Sequence, residues 1–175
     1  RNLASAGGGP ALGTRAIDGN GGSGPGLRVG DGGNNVNIAQ AGSTITNANS
    51  SGILLAGGST GSTLGGFTIT GSGSHGIEAA GGDYTGTAVT SSAVTGSAGD
   101  GFHAANATGL TGTLLRSADH AQAGIRVAGR SAHVPISDRT VGLAARGIPA
   151  PPNLGPGAGA GAGTGPTHLH HPTRF

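Results

Sequence analysis

The sequence predicts an all-β chain wound as a parallel β-helix. An excess of glycine, a shortage of large apolar residues and a repeat of about 24 residues together carry that expectation. The 175 residues include 40 Gly and 9 Pro, neither of which favours a helix interior, so an all-helical domain is excluded. Leu, Ile, Val and Phe number 31, about 18% of the chain and below the roughly 20% a packed core ordinarily needs. Disorder by composition also requires a large net charge, whereas the formal charge here is +2 and charged residues make up 9%. A stack of near-identical coils, each burying a few side chains against its neighbours, folds with so little apolar mass.

The repeat supports that solution. Gly26-Leu27-Arg28-Val29-Gly30, Gly52-Ile53-Leu54-Leu55-Ala56, Gly76-Ile77-Glu78-Ala79-Ala80, Gly101-Phe102-His103-Ala104-Ala105 and Gly124-Ile125-Arg126-Val127-Ala128 share one form: Gly, large apolar, variable, smaller apolar, small. Their starts lie 26, 24, 25 and 23 residues apart, and a degraded copy begins at Gly147. A second beat, Ile45-Thr46-Asn47, Ile69-Thr70-Gly71 and Val94-Thr95-Gly96, precedes the main one by a constant interval. A third places Thr60-Gly61 ahead of Leu64, Thr85-Gly86 ahead of Val89 and Thr111-Gly112 ahead of Leu115.

Three short apolar beats divided by Gly, Asn, Ser and Asp describe three strands joined by turns. Leucine-rich repeats share the length but need a Leu-x-x-Leu-x-Leu framework that this chain lacks. Equivalent residues of successive coils stack about 4.8 Å apart. The columns Leu27/Ile53/Ile77/Phe102/Ile125 and Ile45/Ile69/Val94 are therefore the expected core, with Val29/Leu55/Ala79/Ala104/Val127 beside the first.

The segment Gly66-Phe67-Thr68-Ile69-Thr70-Gly71-Ser72-Gly73-Ser74-His75-Gly76-Ile77 resembles a coil of the pectate-lyase-like superfamily of right-handed parallel β-helices. The style is closest to Thr/Gly/Ala-rich bacterial surface proteins, namely autotransporter passengers and haemagglutinin-like adhesins. The resemblance covers about residues 26–130. Right-handedness is implied by it and by the chirality of β crossovers. About five coils of 23–26 residues are expected over 20–148, preceded by a Gly-rich segment or loose cap at 1–19. A Pro/Gly/Ala-rich disordered tail follows at 149–175. Because 1–25 holds few apolar anchors and no C-terminal cap is evident, a piece of a longer rod is expected, with further β-helix coils of a parent chain as neighbours.

Several chemistries are excluded. All nine basic residues are Arg, so the P-loop and lysine Schiff-base mechanisms are absent. With no Cys there is no disulfide, thiolate nucleophile or thiolate metal site. The Arg residues are scattered singly without interleaved aromatics, which argues against nucleic acid as a partner. No apolar run approaches the 18 residues of a transmembrane helix.

The candidate residues lie where the repeat aligns unlike chemistries. Glu78, His103 and Arg126 occupy the variable, outward position of three successive copies and should stand in a row. That row is either a surface charge ladder or an acid–base and anion-binding group. His75 and Asp100, each two residues before the large apolar residue, should be neighbours at a turn. The Ser74-His75-Gly76 turn echoes polygalacturonases, but the paired carboxylates that glycoside hydrolysis needs are missing. A lyase alternative implies Ca²⁺, for which Asp31, Asn34 and Asn35, with Asn37, form the densest oxygen cluster. Gly57-Gly58-Ser59-Thr60-Gly61 matches the nucleophile-elbow form without its helix, and Gly19–Gly24 matches G-x-G-x-x-G; both matches arise by composition alone. Thr44-Ile45-Thr46 and Thr68-Ile69-Thr70 stack as a short Thr-x-Thr array resembling an ice-binding face. His168, His170 and His171 lie in the tail without a preorganised cage.

The expectation for function is a non-enzymatic segment of a secreted or cell-surface bacterial repeat protein without a cofactor. It would act as spacer, adhesin stalk or carbohydrate-contacting surface toward a polysaccharide or host surface. A pectin-degrading lyase or glycoside hydrolase is the alternative, and an ice-binding face the third.

Overall fold

The computed structural model describes residues 2–3, 16–19, 22–30, 34–113 and 115–142. These residues carry fifteen strands and no helix, and none of the structure is a helix long and apolar enough to cross a membrane. In chain order the strands are β1 (Asn2–Leu3), β2 (Ala16–Asp18), β3 (Leu27–Gly30), β4 (Asn37–Thr46) and β5 (Ile53–Ala56). There follow β6 (Thr63–Thr70), β7 (Ile77–Asp83), β8 (Ala88–Thr90), β9 (Ala93–Thr95) and β10 (Phe102–Thr108). The last are β11 (Thr111–Thr113), β12 (Arg116–Ala118), β13 (Ile125–Ala128), β14 (Ile136–Ser137) and β15 (Thr140–Val141). The tail, Asp31 and the degraded repeat at Gly147 lie outside the described residues.

Every strand pairing is parallel and joins one coil to the next, which makes the chain a β-solenoid of about five turns. Three faces result. The first is the six-stranded sheet β1-β3-β5-β7-β10-β13. The other two share a sheet: the first halves of β4 and β6 continue into β8, β11 and β14, and their second halves into β9, β12 and β15.

The registers reproduce all three expected core columns, Val29, Leu55, Ala79, Ala104 and Val127 standing in line beside the first. Leu27, Ile53, Ile77, Phe102 and Ile125 are successive Cα partners, as are Ile45, Ile69 and Val94. All are buried, and Ile17, Ser117 and Val141 extend the second column. Alternating in–out burial along the strands gives the coil that begins at Gly52 five inward apolar side chains, Ile53, Leu55, Leu64, Phe67 and Ile69, each large aliphatic contributing about 1.5–3 kcal/mol.

The alignment of the third beat departs from the sequence expectation. Ile38, Leu64 and Val89 are followed by Gly112 and Ile136, so Leu115 does not belong to it. The Thr111-Gly112 pair aligns with Ala88-Val89, not with Thr85-Gly86. Coil length is the cause. Thr108 pairs with Asp83 and Thr111 with Ala88, so two residues of the later coil span what four span in the earlier one. Leu115 instead falls one residue before the Arg116–Ala93 pair, level with Ser92, Phe67 and Ser43 at the bend between the second and third faces. That buried column alternates small and large, and the Leu115 side chain reaches the space over Gly112.

The bends repeat as strictly as the strands. Immediately after the third face stand Asn47, Gly71, Gly96 and Asp119, with φ of 50°, 69°, 65° and 57°. Three residues before the second-face column stand Asn35, Gly61, Gly86, Gly109 and His133, all between 51° and 74°. Left-handed backbone is cheap for Gly and tolerated by Asn and Asp, which explains which residues recur here. The glycine that opens each repeat has another role. A Cβ on Gly76 would lie 2.6 Å from the Gly101 carbonyl oxygen and run into the Val94 side chain, and Gly52 and Gly101 are confined in the same way. Close approach of the first face to the third demands the missing side chain.

Gly76→Ala is therefore expected to cost about 1–3 kcal/mol through overpacking. Gly24→Ala, with nothing within 4 Å of the added Cβ, should be neutral or stabilise by up to about 1 kcal/mol. Urea midpoints of the two variants check the contrast, and equal midpoints would refute it.

Candidate functional site

The first face carries a cluster of titratable side chains that three successive coils build together. Glu78, His103 and Arg126 are consecutive partners across β7, β10 and β13, so the expected row exists. Their side chains are half-buried, because the row leans toward the turn that precedes each strand. That turn holds Ser51, His75, Asp100 and Ala123 at equivalent positions. His75 and Asp100 are neighbours, joined by the Asp100 backbone N–H, which donates to His75 Nδ1 at 3.0 Å.

Asp100 is the centre of the cluster, and its side chain has 0% relative exposure. Oδ2 lies 2.6 Å from His103 Nδ1, 3.1 Å from Arg126 Nε and 3.5 Å from His75 Nδ1. Oδ1 accepts from the Ala123 backbone N–H at 2.9 Å and from Arg126 Nε at 3.2 Å. The two imidazole rings stack at 4.2 Å with an interplanar angle of 24°. Glu78 accepts a hydrogen bond from the Ser51 hydroxyl.

The electrostatics follow from these contacts. Burial works to raise the Asp100 pKa, but the His103 hydrogen bond, the Ala123 N–H and the Arg126 charge outweigh it and hold the carboxyl below its usual value. His75 is pushed below the ordinary imidazole value, first by burial and then by His103, against the opposing pull of Asp100 and Glu78. Since His75 Nδ1 accepts a backbone N–H, its proton sits on Nε2 when the ring is neutral. His103 has the opposite tautomer: facing an ionised carboxylate, Nδ1 donates and Nε2 becomes the acceptor. An imidazole oriented by a buried carboxylate is the arrangement a general base requires.

A second histidine cluster has no counterpart in the sequence reading. His120 is buried, accepts the Ser97 backbone N–H at Nδ1 (3.2 Å), and lies 2.8 Å from Ser117 Oγ through Nε2. The Ser117 hydroxyl donates in turn to the Gly124 carbonyl at 2.6 Å. The proton on Nε2 that this chain of bonds requires prevents His120 from acting as a base toward Ser117. The pair thus ties the third-face turn to the first face. Its only advance signal was a histidine four residues before the repeat glycine, where other coils have Ala48, Ser72 and Ser97.

The other candidates are dispersed. Asn34 Oδ1 accepts from Thr60 N and Oγ1 at 3.0 and 2.9 Å, and Asn35 occupies a left-handed bend; Asp31 lies outside the described residues. Ser59 is fully buried, its hydroxyl has no hydrogen-bond partner, and strand β6 follows where a nucleophile elbow needs a helix. The threonine rows are in register as Thr44/Thr68 and Thr46/Thr70/Thr95, but Ala93 and Arg116 interrupt the first. His168, His170 and His171 lie outside the described residues.

An open groove of about 620 Å³ runs along the bend between the second and third faces. Thr68, Ser91, Ala93, Arg116, Asp138 and Thr140 are among its lining residues. Comparison with protein-family models, curated proteins and solved structures finds no match. The fold and the side chains alone define the class: an all-β parallel β-solenoid with one buried-carboxylate cluster on its first face and one open groove at a bend.

Asp100→Ala should destabilise the protein by about 3–5 kcal/mol, since it strands buried donors from two coils. Denaturant unfolding measures this, and a loss under about 1 kcal/mol would contradict the central position of Asp100. His120 gives a pH dependence. Burial holds its folded pKa below the unfolded value of 6.5, against the raising influence of Asp119 and Asp100. The unfolded chain therefore binds the proton more readily. His120's stabilising contribution is complete above pH 6.5 and falls as the pH drops from there toward the folded pKa. His120→Asn should flatten that segment of the stability–pH curve, measured as melting midpoint against pH.

Proposed function

We propose that this chain is a non-enzymatic segment of a secreted or cell-surface repeat protein, working as a structural spacer that contacts acidic carbohydrate through the groove at Arg116. The observation that carries the reading is the state of that guanidinium. Arg116 is exposed, lines the groove and, among the described residues, makes no side-chain hydrogen bond or ion pair. Around it Thr68, Ser91 and Thr140 offer hydroxyls, and Ala93 offers a small apolar surface. Sugars are held by just such mixed polar and flat apolar linings, and a carboxylated sugar additionally matches a free Arg. The charges of the Asp100 cluster on the first face are spent on one another, which favours support over turnover.

The pectin-degrading enzyme is the second reading, favoured by the orientation of His103 on Asp100 and the neighbouring Glu78. It lacks a second free carboxylate, since Asp100 is buried and Glu78 is bonded to Ser51.

Retention on immobilised polygalacturonate separates these readings. The chain should be retained at low salt and released as salt rises. Arg116→Ala should bind about tenfold more weakly, the value of one charge-assisted hydrogen bond, with no new polysaccharide ends released. No retention, or equal retention of the variant, overturns the groove. Release of ends that depends on His103 replaces the spacer with the enzyme.

A further inference from the structure

We propose that His75, Asp100 and His103 form a binding site for one divalent transition-metal ion of the zinc type. The three donors come from two adjacent coils, and one ligand atom from each lies within 4.8 Å of the others. They converge on a single oxygen: Asp100 Oδ2 is 2.6 Å from His103 Nδ1 and 3.5 Å from His75 Nδ1. Zinc bonds of about 2.0–2.2 Å to imidazole nitrogen and carboxylate oxygen, at tetrahedral angles, place neighbouring ligand atoms about 3.3–3.5 Å apart. The His75–Asp100 pair, at 3.5 Å, already has that separation, and the His103–Asp100 pair, at 2.6 Å, reaches it by opening about 0.7–0.9 Å.

The donor set selects the metal class. Two imidazoles and one carboxylate suit zinc, copper or nickel, whereas calcium and magnesium require six or more oxygens that this turn does not offer. The carboxylate is held in advance: Oδ1 is fixed by the Ala123 N–H and by Arg126 Nε, which also reaches Oδ2 at 3.1 Å. Such outer hydrogen bonds orient ligating carboxylates in metal sites generally. Exposure is graded to match, since the His75 and His103 side chains keep 18% and 17% of their surface while Asp100 has none. The metal would enter from the histidine side and leave a coordination position for water.

The exchange balances. The ion takes the place of the proton between His103 Nδ1 and Asp100 Oδ2; that proton leaves to solvent while Nε2 takes one up, so His103 stays a neutral imidazole and no net proton is released. It also takes over the His75 Nδ1 lone pair from the Asp100 backbone N–H. Arg126 places a positive charge beside the ion, which sets the affinity below that of a bare two-histidine, one-carboxylate site.

The test is calorimetric titration of zinc chloride into the full chain carrying His168→Ala, His170→Ala and His171→Ala, which removes the tail histidines. One site per chain is expected, with no saturable binding of calcium chloride. His103→Gln keeps an N–H toward Asp100, and His75→Asn keeps an acceptor for the backbone, so each preserves the local bonds without the imidazole. Each should weaken binding at least about tenfold, since loss of an outer partner alone costs about 10–100-fold. Far-UV circular dichroism confirms that the variants keep the β spectrum, and either folded variant suffices. Zinc should also raise the melting midpoint of the tail-substituted chain, and calcium should not. Binding that survives both substitutions, or no zinc-dependent rise in that midpoint, overturns the site.

Discussion

A coil can pair with the next only if both backbones turn at the same places. In this chain that requirement is met by residues in the left-handed region at four bends per coil. Among the described residues, all seven non-glycine residues with positive φ, Asn35, Asn47, Ser91, Asn106, Asp119, His133 and Asp138, fall at those bends. The strands between them are as short as two or three residues and could not hold a register by their own hydrogen bonds. The bends impose the register, and the register makes the side-chain columns. The composition follows from this constraint: much of the glycine is required by backbone geometry at bends or by close approach at the start of the first face, and few positions remain where a large side chain fits.

The Asp100 cluster is a product of the same register. A buried carboxylate costs several kcal/mol unless it is paired and hydrogen-bonded. No single coil supplies the partners: His103 comes from its own coil, His75 from the one before, and Ala123 and Arg126 from the one after. A shift of one residue in any of these pairings would turn His103 or Arg126 to the opposite face and leave Asp100 unpaired. The cluster therefore adds to the penalty that the hydrophobic columns already place on a misregistered stack.

What was legible in the sequence was whatever recurs. The columns through Ile53 and Ile69 and the Glu78, His103, Arg126 row follow from the repeat interval, since parallel in-register pairing places equivalent residues side by side. The adjacency of His75 and Asp100 follows for the same reason. The convergence of His103 and Arg126 on Asp100 was not legible, because a repeat interval says which residues are level and not which way a turn leans. The place of Leu115 was not legible because the Thr85-Gly86 and Thr111-Gly112 pairs look alike while their coils differ in length. His120 gave no periodic signal, since three other coils fill its position with Ala or Ser.

The differences in coil length show where this architecture admits change. The first interval exceeds the second by two residues, and the excess sits between Ala39 and Ser43, where the register shifts at the bend joining the second and third faces. The later shortening sits between Asp83 and Ala88, where Tyr84 and Thr85 have no counterparts. In both cases the strands on either side remain paired, so insertions fall at bends and leave the columns intact. Bends can also accept a charged or polar side chain without disturbing the core beneath. The two features with chemical potential lie at such places, the Asp100 cluster at the turn entering the first face and the Arg116 groove at the bend where the first coil carries its extra residues. Stability resides in the columns that repeat, and chemistry enters at the bends between them.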